Sequence, residues 1–146
     1  MIPAREERGF TLIELMVVIV ILALLAAIVA PRLVGYTDEA KVTEAKVQIK
    51  NFETALKLYK IHNGLYPSTE QGLEALIIKP TTGVIPRKWN EGGYLEKKKI
   101  PLDPWGNTYI FISPGLHGDY DIISYGQDGI RGGEDFAHHI ESWNID

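Results

Sequence analysis

The chain has 146 residues, with 15 Lys and Arg against 19 Asp and Glu and a formal net charge of −4. No basic stripe is evident, which argues against nucleic acid as a partner. The absence of cysteine excludes a disulfide framework and thiol catalysis. Length fits one domain plus an extra segment.

The extra segment is residues 10–30, apolar but for Thr11 and Glu14. About 20 such residues cross a bilayer core of roughly 30 Å as a helix. Arg5 and Arg8 precede the run, whereas Arg32 is followed by Asp38 and Glu39. The positive-inside bias therefore puts the amino terminus in the cytoplasm and the rest across the membrane, with Glu6 and Glu7 diluting the local charge. A carboxylate inside such a segment is expensive, about 2.5–3.5 kcal/mol for Asp at a helix centre, and marks Glu14 as a functional candidate unless it stays wet at the interface. An ordinary secretory signal cleaved near Ala27 or Ala30 is the rival reading. Against it, the run exceeds the usual apolar region of about 7–15 residues, holds a glutamate, and leads directly into a helical pattern.

The six residues Gly9-Phe10-Thr11-Leu12-Ile13-Glu14 resemble the processing site of type IV pilins and type II secretion pseudopilins. The resemblance implies cleavage between Gly9 and Phe10 by a prepilin peptidase and N-methylation of Phe10. Residues 1–9 are then a leader, 10–30 a transmembrane and filament-core half-helix, and 31–146 a periplasmic globular domain. About 115 residues remain from Pro31 onward, enough for one modest core.

Pro31 lacks an N–H and its ring crowds the preceding turn, so the helix is expected to kink or loosen there, with Gly35 a second soft point. From Asp38 a helical pattern resumes. Val42, Ala45, Ile49, Phe52, Leu56 and Tyr59 form one apolar seam at alternating spacings of three and four. Asp38 and Glu39 near its start and Lys57 and Lys60 near its end complement the helix dipole. Asn63-Gly64 supplies the stop. Residues 11–63 together predict a spine of about 80 Å at 1.5 Å per residue.

Beyond the spine, Ser68 or Thr69 is expected to cap a short helix that Leu73 with Leu76 or Ile77 packs down. Pro80, Gly83 and Pro86 mark a loop anchored by Trp89, Tyr94 and Leu95. Lys97, Lys98 and Lys99 read as a solvated run. Residues 101–107 are dense in turn formers. Residues 109–113 and 120–124 read as strands, with a third over 138–143, and need the amphipathic helix against one face.

The stretch from Tyr125 to Asp135 gathers Asp128, Glu134 and Asp135 with glycines 126, 129, 132 and 133. Glycines let carbonyls turn inward and carboxylates add hard oxygens, the donor type calcium takes. EF-hand spacing is absent, and composition alone equally suits a solvated glycine-rich hairpin.

Residues 66–73, the segment Asp103-Pro104-Trp105-Gly106-Asn107 with Tyr109, and the Asp128-Gly129 to Gly132-Gly133 stretch resemble the major (G-type) pseudopilin of the type II secretion system. The resemblance implies an α+β, type IV pilin-like fold: a long amino-terminal helical spine packed against a small antiparallel sheet with a glycine-rich calcium loop. It implies calcium held by the side chains of Asp128 and Asp135 and the carbonyls of Tyr125, Ile130 and Gly133. One departure stands at His138-His139, where the family often has Ala-Asp. Adjacent strand residues point to opposite faces, so these histidines are expected to be solvated or hydrogen-bonded.

The implied role is a structural subunit of the pseudopilus, not an enzyme. The subunit waits in the inner membrane and polymerises into a filament that drives protein export across the outer membrane. Implied partners are other copies, minor pseudopilins, the inner-membrane assembly platform and the peptidase. The alternative is a type IV pilus subunit. A membrane-anchored hydrolase finds no support, since G-x-S-x-G, H-E-x-x-H and phosphate-binding glycine loops are absent.

Overall fold

The computed structural model describes residues 9–131 and 139–145, without the side chains of residues 28–37. One helix, α1 (Leu12–Asn63), contributes to two compact units, Met1–Glu39 and Ala40–Asp146.

In the first unit the described side chains of α1 up to Ala27 are all exposed. Leu12, Ile13, Leu15 and Ile21 point to different sides of the helix and are each at least half exposed. A helix that is hydrophobic all round has no solvent face of its own. Among the described residues, no helix is long and apolar enough to cross a membrane. The described side chains stop at Ala27, short of the sequence run that continues to Ala30. The helix does not end at Pro31 or Gly35.

In the second unit the predicted seam is the core. Ala45, Ile49, Phe52, Leu56 and Tyr59 are buried, and Val42 packs partly against them. Gly64 ends α1 at φ +82°, donating its N–H to Lys60 O at 2.7 Å, while Asn63 Nδ2 donates to Tyr59 O. Only glycine takes this left-handed conformation without strain.

The strands are shorter than the sequence suggests. They are β1 (Ile110–Ile112), β2 (Asp121–Ser124) and β3 (Ile140–Glu141), antiparallel in the order β1-β2-β3. Phe111 pairs with Ile122 and Ser124 with Ile140, which puts these buried side chains on the face toward α1. Phe52 meets Tyr109 edge to face at 5.1 Å. Ser113 leaves the ladder because its backbone turns to Thr69, and Tyr120 stays out, packing edge to face on Tyr66 at 4.8 Å. The third strand stops after Glu141, where a 3-10 turn, Ser142–Asn144, begins.

The expected short helix is a 3-10 turn, Leu73–Leu76, with no side-chain cap. Ser68 instead closes the turn before it. Ser68 Oγ accepts the Gln71 N–H while Gln71 Oε1 accepts the Ser68 N–H, the reciprocal pattern of a capping box. The loop anchors hold as expected: Trp89 Nε1 donates to Ala75 O, and the Tyr94 hydroxyl accepts from Asn63 and Asn90. Lys97, Lys98 and Lys99 are exposed.

Candidate functional site

Gly9 and Phe10 lie ahead of the helix and are exposed, Phe10 at 83 %. A peptide bond in such a position is open to a peptidase. Thr11 is the residue before α1, and Glu14 is its partner. The Thr11 N–H and Oγ1–H both donate to Glu14 Oε2 at 3.1 Å, and Thr11 Oγ1 accepts the Glu14 N–H at 3.2 Å. This T-x-x-E capping box satisfies amide donors that a helix start leaves open. It also holds a carboxylate at the positive end of the helix, one residue from the nitrogen that cleavage after Gly9 would free.

The second candidate lies beyond β2. Asp128 Oδ1 accepts the Ile130 N–H at 3.3 Å, and Ile130 is exposed. His139 packs beside it, with Nε2 at 4.0 Å from Asp128 Oδ1 and its ring 5.4 Å from Tyr125. Its side chain is only 7 % exposed, against 28 % for Asp128. Of the two expected states, solvated or hydrogen-bonded, burial removes the solvated one for His139, which lies just ahead of β3. Gly133, Glu134, Asp135 and His138 lie outside the described residues. Among the described residues no group of three or more His, Asp or Glu side chains gathers as a metal cluster. Of the five residues expected to hold calcium, the structure describes Asp128, a partly exposed carboxylate, with Tyr125 and Ile130, whose backbone carbonyls are of the oxygen type calcium takes.

Support beneath this loop comes from a group the sequence reading treated only as a turn. Asp103 is 4 % exposed. Its Oδ1 accepts the N–H groups of Trp105 (3.1 Å) and Asn107 (2.7 Å), and its Oδ2 accepts the Ser124 hydroxyl at 2.6 Å. Ser124 Oγ in turn accepts the Gly126 N–H, and Asn107 Nδ2 donates to Gly126 O. Gly129, at φ +64°, passes so close to Asn107 that a Cβ would lie 2.9 Å from its Oδ1. The signal in the sequence was an aspartate opening a Pro-Trp-Gly-Asn turn; two of its partners lie within that turn, but Ser124 lies 21 residues on, where no periodicity points.

Burial and nearby charge act on three tyrosines. Burial raises Tyr109 above the usual phenol range, helped by the Asp103 and Glu44 charges. Burial also raises Tyr120, with Glu53 adding to it, and Tyr59, with Tyr94 adding to it. Lys60 donates to Asp119 Oδ2 at 3.0 Å and lies over the Tyr66 ring, tying the end of α1 to the β1–β2 connection.

The family model for type II secretion system protein G matches residues 32–143, and that for the prokaryotic N-terminal methylation motif matches residues 4–30. The chain belongs to the type II secretion protein G family. It is 52 % identical over 140 residues to the type II secretion system core protein G of Pseudomonas aeruginosa, covering 96 % of this chain and 97 % of that one. To the core protein G of Vibrio cholerae it is 48 % identical over 141 residues, covering 97 % and 94 %. Its fold is similar to the crystal structure of the major pseudopilin from the type 2 secretion system of enterohaemorrhagic Escherichia coli. That match has a TM-score of 0.67 at 39 % identity, over 77 % of this chain and 95 % of that one.

Proposed function

We propose that the protein is a structural subunit of the type II secretion pseudopilus and not a catalyst. Residues 10–30 hold it in the inner membrane as a single span, with residues 31–146 in the periplasm. Prepilin peptidase cuts between Gly9 and Phe10, and Phe10 is methylated. The subunit then joins the base of a helical filament, on an inner-membrane assembly platform and alongside minor pseudopilins. The growing filament drives protein export across the outer membrane.

The observation that carries this reading is the start of α1, an exposed all-round apolar helix capped by Thr11 and Glu14. Such a surface needs cover from lipid or from other helices. Assembly exchanges the first cover for the second. Glu14 then pairs with the amino group of Phe10 on an adjacent subunit, and because breaking a buried pair typically costs about 3–5 kcal/mol, the pair fixes register. Comparing Glu14→Leu with wild type for filament yield tests the role: intact filaments in the variant would sink it.

Calcium is the cofactor of this reading. Asp128 and Asp135 would hold it with carbonyls of Tyr125, Ile130 and Gly133. When bound it supplies a multidentate tie for the glycine-rich loop. The chain's own preparation for that tie is the Asp103–Ser124–Asn107 network, which fixes Gly126 from both its N–H and its C=O.

A further inference from the structure

One edge of the sheet is open to an extended peptide. The Ser113 N–H donates to Thr69 Oγ1 at 2.8 Å, and its carbonyl accepts from the Thr69 N–H at 3.2 Å, so the Ser113 backbone faces away from β2. Across the ladder, the Ile122 N–H donates to Ser142 Oγ, toward β3 and not β1. Both observations set the same alternation: in the pair Phe111↔Ile122 the backbone groups of Phe111 face outward. Thr69 thus forms the first rung of an added strand, and among the described residues the next rung, at Phe111, is open. Beside it runs a groove of about 320 Å³ whose apolar lining includes Leu73, Ile100 and Leu102. Among the described residues, Glu74 is the only charged one lining it.

This groove suits an exposed apolar segment with one rung to give and a cation behind it. The loop at 82–88 has that form. Val84 is 63 % and Ile85 54 % exposed, and Arg87 and Lys88 are exposed after them. Gln71 Nε2 already holds the carbonyls of Thr82 and Val84, leaving the backbone of Ile85 to offer. Pro86 has no N–H and stops any ladder there.

We infer that the open edge of β1 receives the 84–88 segment of a second copy of this chain, by strand addition. Val84 and Ile85 cover the apolar groove, Ile85 pairs with Phe111, and Arg87 or Lys88 faces Glu74. The inference rests on the self-assembly reading and names a contact within it.

Because the chain has no cysteine, Val84→Cys and Leu102→Cys can be placed in separate, co-expressed full-length copies. Mild oxidation of assembled filaments is expected to link the two variants, whereas either variant alone gives no linked pair. Glu74→Arg in the Leu102→Cys copy should abolish most of the link, and Arg87→Glu with Lys88→Glu in the other copy should restore it. Filaments that form normally without the link, or with a link indifferent to Glu74→Arg, overturn the inference and leave the filament reading standing. A Leu102→Cys adduct with an unrelated protein in place of the second copy also overturns it. Failure of the wild type to form any filament overturns both readings.

Discussion

Thr11 and Glu14 hold each other across the first turn of α1, the Thr11 N–H on Glu14 Oε2 at 3.1 Å and the Glu14 N–H on Thr11 Oγ1 at 3.2 Å. The carboxylate therefore has two separable tasks, capping its own helix and offering charge to a neighbour. Glutamine can serve in a capping box but carries no charge. Glu14→Gln is expected to keep the helix start, read by amide exchange in micelles, and to lose filament assembly. Thr11→Ala should weaken the start by about 1 kcal/mol. Assembly equal to wild type in Glu14→Gln would reduce Glu14 to a cap.

Asp103 is expected to be the most sensitive polar position of the second unit. Asp103→Ala would leave the Ser124 hydroxyl and two amide groups without their acceptor, at a cost of about 3 kcal/mol. Urea unfolding of the full-length protein in detergent measures it. A change under about 0.5 kcal/mol, the scale of an ordinary surface substitution, would contradict the assigned role.

Alkaline pH should destabilise the second unit. Tyr59, Tyr109 and Tyr120 are all raised by burial, so the folded state holds their protons after the unfolded chain begins to release its own. Stability is complete below the unfolded phenol value of about 10 and falls as pH rises from there toward the folded values. Lys60, raised by its hydrogen bond to Asp119, acts in the same direction, weakly because it is exposed. Unfolding midpoints measured from pH 8 upward, in the range set by phenol ionisation, should drop for wild type and drop less for Tyr109→Phe. A flat profile would contradict the burial argument.

Chelating calcium should lower the unfolding temperature. A ligand at one hundred times its dissociation constant contributes about 2.7 kcal/mol to a native state that alone binds it. Asp128→Ala and Asp135→Ala should each remove the calcium-dependent part of the stability and leave the chelated baseline near wild type. Calorimetry with and without added calcium reads both, and a calcium shift that survives Asp128→Ala would exclude that ligand.

The helical half was legible because its signals are local. The spacing of Ala45, Ile49, Phe52, Leu56 and Tyr59 and the stop at Asn63-Gly64 lie within one element. Strand identity was legible too, but not strand length. Ser113 and Tyr120 carry ordinary strand-end chemistry, and what removes them from the ladder is Thr69 and Tyr66, more than forty residues away. The same distance problem hid the Asp103–Ser124 bond and the packing of His139 beside Asp128. Neither Ser68 nor Thr69 caps the 3-10 turn as expected: Ser68 closes the preceding turn with Gln71, and Thr69 bonds Ser113.

The central claim is that the chain is processed as a filament subunit, and the intact mass of the protein from its native membrane tests it most directly. The account predicts a chain that begins at Phe10 and carries one added methyl group. A chain that begins just after Ala27 or Ala30 would contradict it, because the apolar spine and Glu14 would then be gone before any filament could form.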